Sequence, residues 1–571
     1  MEEQKKKIKV MIFLIVPVIV IILIAIMTKK FMPSKERMKL TEYYPVEDNE
    51  ILLIMQDKLY EKKGLYIDGK AYIDYETVTK LFNKRFYFDA NENILIYTTA
   101  TEVMKAEVGE KKYYINKSKT NTEYPIVKIV GETTYIAVDY VAMFSNIKTS
   151  FYENPNRMVF SYDYEKKYSA STVKKDTQLR KEPGIKSAIL KDLKEGDFLV
   201  YLKQEKEDKK KAASFIQVIT EDGVIGFVKK NRLKEAKPFQ YTSDYKEEVY
   251  PSISKDYKIN LVWHQVTNQQ ANDYLLNLLD ATKGVTTVSP TWFSLANNKG
   301  EITSLASETY VNRAHSIGVE VWALCDDFDT KNVNTYELLS YTSRREKLAN
   351  ELIASAIKYN LDGLNLDFEK ISSKAATHFI QFVRELSVKC RSNGIVLSID
   401  NYSPGYTDYY DRKEQGILAD YVITMAYDEH TGGSKESGSV SSIGYFTDAI
   451  KNTLKEVPPE KTIIGIPFYT RLWKEVMEGE QITVSSEAYG MTKGKNVLID
   501  HGVTPYWDKT AGQNYGEYEE DKAKYRMWLE DAESIELKMK AMDEENVAGV
   551  AGWKLGLESA DVWDVIIKYV N

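Results

Sequence analysis

Residues 362–369 read Asp-Gly-Leu-Asn-Leu-Asp-Phe-Glu, with polar and apolar side chains at alternate positions. Because successive side chains of a β-strand point to opposite faces, the two leucines and the phenylalanine share one face. The other face carries Asn365, Asp367 and Glu369. A structural strand would carry Val, Ile or Leu at these positions, since burying unpaired carboxylates is costly. We interpret the strand as functional; the alternative is a core network in which every polar group is satisfied.

The sequence around this strand predicts the fold. Seven further apolar runs, separated by helix-like segments, lie between residue 254 and the C-terminus. Strands that alternate with helices predict a parallel sheet, and eight strands in about 315 residues favour an α/β fold of the closed (β/α)8 TIM barrel type over an open doubly wound sheet. The predicted strands are Ile259–Val262, Thr286–Ser289, Val319–Leu324, Leu361–Asp367, Ile395–Ile399, Tyr421–Ala426, Ile463–Pro467 and Val547–Gly552.

The predicted barrel domain covers residues 254–571, with an inserted β-containing subdomain at about 474–530. Active sites of such barrels lie at the carboxyl ends of the strands, where Asp367 and Glu369 fall. Two carboxylates this close cannot both ionise freely, so we expect one raised pKa, as a general acid requires.

The stretch 362–369 resembles the signature of glycoside hydrolase family 18, Asp-Gly-x-Asp-x-Asp-x-Glu. At average residue frequencies, a chance match in a chain of this length has odds on the order of 10⁻⁴. The likeness covers roughly residues 254–571, and a segment after the second strand is similar to the cell-wall and spore-cortex branch of the family. The supporting segments are Ser289–Phe293, Met425–Asp428, Gly465–Arg471 and Ala551–Gly556.

The resemblance implies a retaining mechanism without an enzymic nucleophile, an exception to the usual two-carboxylate geometry. Glu369 would protonate the glycosidic oxygen while the N-acetyl carbonyl of the substrate attacks the anomeric carbon. Asp367 would orient the acetamide N–H and offset the developing positive charge. Tyr427 would hydrogen-bond the acetamide oxygen. No cofactor is implied.

The same resemblance gives a substrate-binding set. Trp553 would form the apolar floor of a sugar subsite, with Met425, Asp428 and Arg471 nearby. Each has a structural alternative: ordinary core for Trp553, a loop cap for Asp428 and an ion pair for Arg471. Asn365 joins this set but stands where the family often has aspartate. An amide cannot share a proton with Asp367, so the charge balance and the pH optimum change.

Composition excludes several function classes. The 571 residues are 43 % hydrophobic, which excludes general disorder and indicates several domains. Lys and Arg number 77 against 84 Asp and Glu, so no nucleic-acid partner is expected. The two cysteines, Cys325 and Cys390, and the five scattered histidines show no metal-binding spacing, and neither a metal nor a disulfide is expected.

The N-terminus predicts a membrane anchor. Residues 10–27 are 18 uninterrupted apolar residues, enough to span roughly 27 Å as a helix. We expect a cytoplasmic tail at 1–9, a single uncleaved transmembrane anchor at 10–28 and a linker at 29–45; the alternative is a buried soluble helix. Basic residues flank the run almost equally, so charge leaves the orientation open.

Two small domains are predicted between the linker and the barrel. Residues 46–165 contain a strand, amphipathic stretch, turn and strand that recur about 63 residues later, at Tyr72 and Tyr135. This α+β repeat domain resembles the one at the N-terminus of copper amine oxidases, without a histidine cluster to hold copper. Residues 170–236, with Leu179-Arg180 and a closing Asp222–Val228, resemble a bacterial SH3-like barrel that would hold a wall peptide; a structural spacer is the alternative. The charge run Glu205–Lys211 widens one of its loops.

Taken together, these features predict a membrane-anchored, single-pass hydrolase whose C-terminal body is extracellular, because a polymeric wall cannot enter the cytoplasm. Its expected partner is peptidoglycan, cleaved at β-1,4 bonds next to N-acetylglucosamine. Two alternatives remain: a chitinase-like hydrolase of another N-acetylglucosamine glycan, and a glycan-binding scaffold that recognises wall sugar without cutting it.

Overall fold

The computed structural model describes residues 1–202, 214–479 and 481–570. Its largest part is a closed barrel of eight parallel strands, each hydrogen-bonded to its neighbours, with the first pairing with both the second and the eighth. The predicted (β/α)8 barrel is therefore confirmed. The strands, numbered β1 to β8, are Ile259–His264, Thr287–Leu295, Glu320–Asp326, Gly363–Asp367, Val396–Tyr402, Tyr421–Met425, Thr462–Pro467 and Gly549–Trp553.

Side-chain alternation divides the barrel into two cores. On β4, Leu364 and Leu366 pack outward into the large cluster between strands and helices. A second cluster inside the barrel includes Trp263, Trp322 and Ile423. The surrounding helices are Leu275–Leu279, Glu308–Ser316, Thr335–Leu339, Thr342–Tyr359, Ala376–Asn393, Arg412–Leu418, Ile443–Thr453, Ala532–Glu544 and Val562–Val570.

Buried ion pairs connect several of these helices. Arg345 and Glu385 lie 3.0 Å apart, and Arg384 and Glu414 lie 2.9 Å apart. All four side chains are almost fully shielded from solvent. A third buried pair joins Lys538 to Glu530. Each carboxylate therefore has a cation within hydrogen-bond distance.

A hairpin from far upstream in the sequence packs with the barrel domain. Its strands are Tyr87–Asp89 and Ile94–Thr98, and residues 87–105 belong to the same compact unit as residues 248–571. The Tyr87 hydroxyl lies 2.7 Å from His378 Nδ1. Asp89 Oδ2 accepts a 2.6 Å hydrogen bond from the backbone N–H of Thr342, so Asp89 supplies the N-terminal cap of helix Thr342–Tyr359.

An antiparallel sheet is inserted between β7 and β8. Its five strands run over Tyr469–Glu478, Gln481–Gly490, Tyr506–Asp508, Gln513–Glu520 and Ala523–Leu529. One helix, Met491–Asp500, packs on it through Leu498. The sheet starts two residues after β7 ends, several residues before the predicted start of the insertion at 474.

A second compact unit contains the N-terminal helix and a seven-stranded sheet. Helix Glu2–Phe31 is long and apolar enough to cross a membrane, a property shared with signal sequences. The sheet combines Glu50–Met55, Lys58–Ile67, Lys70–Asp74, Val127–Val130, Thr133–Ala137, Lys148–Tyr152 and Arg157–Ser161. In both halves of the repeat a helical turn follows the strand, at 75–82 and at Val138–Met143. Three more strands, Val103–Glu107, Lys112–Ile115 and Ser118–Asn121, belong to a five-stranded sheet.

The same unit holds a second seven-stranded sheet, antiparallel throughout. Its strands are Tyr168–Thr172, Thr177–Arg180, Ile189–Leu193, Phe198–Tyr201, Phe215–Thr220, Ile225–Lys229 and Lys237–Phe239. The charge run Glu205–Lys211 lies outside the described residues.

The segment 29–45, expected to be a linker, packs on this sheet. Arg37 forms a parallel bridge with Ile189, a short helix spans Leu40–Tyr43, and Tyr44 is buried in the core. Two adjacent tyrosines and nearby apolar residues explain why this stretch folds against the sheet rather than extending into solvent.

Candidate active site

A cleft with about 590 Å³ of free space opens at the carboxyl ends of the barrel strands. Six of the eight residues that the sequence placed in a site contribute to its surface. The lining residues are Trp263, Phe328, Asp367, Glu369, Asp400, Tyr402, Met425, Tyr427, Asp428 and Trp553. The cleft brings together Asp367, the last residue of β4, and Glu369, two residues beyond the end of that strand.

Asn365 lies beneath the cleft with no exposed surface. Its Oδ1 accepts hydrogen bonds from Trp263 Nε1 and Ser289 Oγ, both at 3.0 Å. Its Nδ2 donates to Ser398 Oγ at 3.0 Å and to Asp400 Oδ1 at 2.7 Å. All four hydrogen-bonding positions of the amide are therefore used by protein groups. This arrangement favours a positioning role over the direct substrate contact suggested by the sequence.

Asp400, on β5, is a site residue that the sequence reasoning missed. It is 3 % exposed, and its Oδ2 has no hydrogen-bond partner among the described residues. Burial raises the pKa of Asp400 well above the usual range, while the Asn365 hydrogen bond lowers it. Ser398, Asp400 and Tyr402 alternate along β5 as the polar residues of β4 do, so the same pattern was available to find them.

Asp367 is a second buried carboxyl of the cleft. It is 5 % exposed, and its Oδ1 also lacks a partner within the described part of the chain. Burial raises the pKa of Asp367 well above its usual value, and the nearby carboxylates of Asp400 and Glu369 raise it further. A positive charge placed beside Asp367 would therefore favour its ionised form.

Glu369 is held at the cleft by three neighbours. The Tyr402 hydroxyl donates to Glu369 Oε2. The backbone N–H of Glu369 donates to Asp327 Oδ1 at 2.9 Å, and Lys370 Nζ lies 3.6 Å from the Glu369 carboxylate. The side chain keeps 19 % of its surface exposed, so it is open to the cleft rather than sealed in the core.

Asp327 anchors the loop after β4 from the end of β3. Besides Glu369, it accepts a hydrogen bond from the backbone N–H of Lys370 at 3.0 Å. Burial raises the pKa of Asp327 to about 7, against the lowering effect of these two amides. The sequence reasoning did not identify this residue, because the contact depends on how two separate loops approach each other.

The walls of the cleft are aromatic. Trp553 at the end of β8 packs edge-to-face against Trp263, with ring centroids 6.0 Å apart. Phe328 on the opposite loop is 46 % exposed, which is unusual for a phenylalanine. Flat apolar rings beside carboxylates are suited to the apolar faces and hydroxyls of a sugar. Burial raises the pKa of Tyr427 well above the usual range, so its hydroxyl keeps its proton.

Asp428 lines the cleft, whereas Arg471 belongs to the inserted sheet and does not line it. Asp428 adopts a left-handed backbone with φ of 60°, and its carboxylate accepts a hydrogen bond from the Tyr469 hydroxyl. Such a conformation in a non-glycine residue is uncommon and concentrates at functional sites. Arg471 donates to Ser486 Oγ at 3.3 Å and belongs to the inserted sheet. Of the described residues, those lining the cleft do not include Arg471.

No group of three or more metal-ligating side chains occurs within the described residues. The cleft presents one glutamate, three aspartates and two tyrosines. This set is typical of acid–base chemistry on a neutral substrate.

Fold and site together define a (β/α)8 barrel with an acidic, aromatic-walled cleft at the catalytic face of that fold. Residues 329–558 match the family model for Glycosyl hydrolases family 18. The match includes β4 to β8, with the cleft carboxylates Asp367, Glu369 and Asp400. β1 to β3 precede it.

Three known proteins each resemble about half of the chain. The uncharacterized glycosylase YvbX of Bacillus subtilis is 26 % identical over 282 residues, which is 47 % of this chain and 80 % of the relative. The cortical fragment-lytic enzyme of Bacillus cereus is 23 % identical over 242 residues, or 41 % of this chain; the chain spans only 55 % of that enzyme's length. The crystal structure of the Bacillus cereus spore cortex-lytic enzyme SleL superposes with a TM-score of 0.50 at 22 % identity, covering 55 % of this chain and 74 % of SleL. This superposition supports the fold.

Proposed function

We propose that the barrel domain hydrolyses β-1,4 glycosidic bonds next to N-acetylglucosamine in peptidoglycan, with the acetamide of the substrate as the nucleophile. The observation that carries this proposal is the joint placement of Asp367, Glu369 and Tyr427 on the surface of one cleft. The reaction needs a proton donor and a group that stabilises positive charge. A glutamate open to solvent and a buried aspartate beside it can take these two roles separately.

In the first step protonated Glu369 donates its proton to the glycosidic oxygen, and the leaving sugar departs. The acetamide carbonyl oxygen attacks the anomeric carbon, giving a cationic oxazolinium intermediate. Asp367 accepts a hydrogen bond from the acetamide N–H, and the Tyr427 hydroxyl donates to the acetamide oxygen. In the second step water attacks the anomeric carbon, Glu369 carboxylate takes its proton, and the ring reopens with retained configuration.

The electrostatics of Asp367 support this role. Its buried, unpaired carboxylate lies beside Asp400, with no lysine or arginine within 4.0 Å of either among the described residues. A cation that develops next to Asp367 is stabilised more than the neutral substrate, and such differential stabilisation accelerates the reaction. The Trp553 ring offers a floor on which the sugar packs.

We further propose that the N-terminal helix anchors the protein in the membrane and that the body acts on the outer side. The helix is long and apolar enough to span a bilayer. The names of two relatives, a cortical fragment-lytic enzyme and a spore cortex-lytic enzyme, refer to wall material and are consistent with this setting. A polymeric wall is reached only from outside.

The test uses the full chain, reconstituted in vesicles, with purified sacculi and with chitin oligomers in parallel. Mass spectrometry of released muropeptides should show new reducing ends on N-acetylglucosamine. The matched variants are Glu369→Gln and Glu460→Gln, the latter an exposed glutamate at the amino end of β7. The first should abolish release and the second should leave it unchanged.

The outcomes separate the alternatives. Cleavage of chitin oligomers but not sacculi would support a chitinase-like hydrolase of another glycan. Equal glycan binding by wild type and Glu369→Gln, with no turnover of either substrate, would support a glycan-binding scaffold instead.

A further inference from the structure

The end of the N-terminal helix is tied directly to the sheet formed by residues 168–239. The Lys186 ammonium donates hydrogen bonds to the carbonyl oxygens of Lys29 and Met32, the latter at 2.6 Å. The last carbonyls of a helix have no partner within the helix, so Lys186 serves as a side-chain cap. Lys186 belongs to the turn at 181–188 that joins strands Thr177–Arg180 and Ile189–Leu193.

Further backbone hydrogen bonds fix this attachment. The N–H of Ser34 donates to the Ile185 carbonyl at 2.8 Å, and the N–H of Met38 donates to the Ile189 carbonyl at 3.0 Å. The N–H of Ile189 donates in turn to the Glu36 carbonyl at 2.8 Å. The chain after the helix therefore runs beside strand Ile189–Leu193 in the same direction, away from the helix end.

The length of chain between the apolar run and Lys29 determines the depth at which the turn 181–188 lies in the membrane. The apolar run ends at residue 27, and Lys29 lies two residues further, about 3 Å along a helix. The headgroup layer on each side of a bilayer is roughly 5–7 Å thick. A spanning helix therefore places the Lys186 ammonium at headgroup depth, and the rest of the turn with it.

The charge of this surface suits anionic headgroups. Residues 29–39 and 181–186 carry seven basic side chains against two acidic ones. Lys29, Lys30, Lys35, Lys181 and Lys186 are all exposed. Basic residues next to a membrane helix are attracted to anionic lipids.

We propose that the turn 181–188, together with residues 29–39, is a membrane-contact surface seated among anionic lipid headgroups. This inference rests on the proposed membrane anchoring of the helix. It gives the basic residues after the helix a role in surface contact. The positive-inside rule predicts few basic residues on the side of a body placed outside, and this contact explains why they are present there.

The test places a fluorescent label at each end of strand Ile189–Leu193 in the full chain. Both native cysteines are buried, so an introduced cysteine is labelled selectively. In Gly184→Cys the new side chain meets no heavy atom within 4 Å. In Glu195→Cys the label lies beyond the far end of the strand, which is about 17 Å long. The vesicles contain phosphatidylcholine and phosphatidylglycerol with a nitroxide on the headgroup.

We expect the nitroxide to quench the label at residue 184 and to leave the label at residue 195 bright. Quenching at 184 should be stronger in vesicles with phosphatidylglycerol than in pure phosphatidylcholine. The double variant Lys35→Glu and Lys181→Glu should remove this difference, since each lysine near an anionic surface changes the contacted fraction about fivefold.

Two failures are distinguishable. Protein that does not float with the vesicles would overturn the membrane anchor in the proposed function, and this inference with it. Protein that floats but is quenched equally at residues 184 and 195, or equally in both lipids, would overturn the contact surface alone.

Discussion

Buried carboxylates occur in two regions of the barrel domain, and their surroundings differ. Outside the cleft, Glu385, Glu414 and Glu530 each lie within 3.0 Å of an arginine or lysine. In the cleft, Asp367 and Asp400 are equally buried, yet no lysine or arginine lies within 4.0 Å of either in the part of the chain that is described. A paired carboxylate holds helices in place, whereas an unpaired one keeps a site ready for a positive charge that arrives with the substrate.

The largest expected effect is at Glu369. Glu369→Gln should lower kcat by about 10²–10⁴-fold, because that is the usual contribution of a positioned general acid. Its thermal midpoint should stay close to that of wild type, since no buried ion pair is broken. Muropeptide release and differential scanning fluorimetry on the same preparation measure both. A variant that keeps its activity would remove Glu369 from the mechanism.

The opposite pattern, lower stability with unchanged turnover, is expected for the ion pair between Arg345 and Glu385. Arg345→Met leaves Glu385 charged and buried, and should lower the free energy of unfolding by about 3–5 kcal/mol. The kcat of the folded fraction should not change. Urea denaturation followed by tryptophan fluorescence measures the loss, and Arg345→Met with Glu385→Gln should regain much of it. If Arg345→Met were as stable as wild type, the buried ion pair between Arg345 and Glu385 would not stabilise the domain.

The contact between Asn365 and Asp400 should produce a smaller effect. Asn365→Asp sets a carboxylate against Asp400 in place of a 2.7 Å hydrogen bond. Hydrogen bonds to charged groups contribute about 1.5–3 kcal/mol, so turnover should fall about 10- to 100-fold. Exchanging the two residues, Asn365→Asp with Asp400→Asn, should restore most of it. An exchange variant no better than the single variant would mean that Asp400 acts independently of Asn365.

The most gradual effect concerns pH and stability. Burial raises the pKa of Asp327 from 3.8 to about 7. Between these values the folded chain keeps a proton that the unfolded chain has released. The free energy of unfolding therefore falls as pH rises through this window, by at most about 1.4 kcal/mol per pH unit.

Asp327→Asn should flatten this slope, because an amide does not titrate yet still accepts a hydrogen bond from the Glu369 backbone. Thermal midpoints across the acidic range give the slope for wild type and variant. Parallel slopes would assign the pH dependence to other carboxyls, of which Asp367 and Asp400 act in the same direction.

The sequence predicts a site residue when its role depends on neighbours that are close in the chain. It does not predict one whose role depends on contacts with distant segments. Alternation along one strand placed Asp367 and Glu369 on the same side, and the eight apolar runs predicted the barrel. The same alternation on β5 points to Asp400 and Tyr402, but only the structure shows that they approach β4. Asp327 leaves no pattern at all, since its role depends on the meeting of two loops.

Contacts far apart in the sequence explain the other differences. The stretch 29–45 is rich in charged residues, so its composition predicts a linker; its docking depends on strand Ile189–Leu193, some 150 residues away. The hairpin strands Tyr87–Asp89 and Ile94–Thr98 similarly pack with helices encoded more than 240 residues later. Periodicity reports which side of an element is apolar, and not which surface will cover it.

The cap that Asp89 gives to helix Thr342–Tyr359 bears on how this domain can be produced. Tyr87, Ile96 and Val103 share a small apolar cluster with Val388 on helix Ala376–Asn393. A fragment that starts near residue 250 would uncover that cluster and leave the first turn of helix Thr342–Tyr359 without its acceptor. The barrel domain is thus discontinuous along the chain. A shortened version needs residues 87–105 supplied, by fusion or as a separate peptide, to be a fair substitute for the whole.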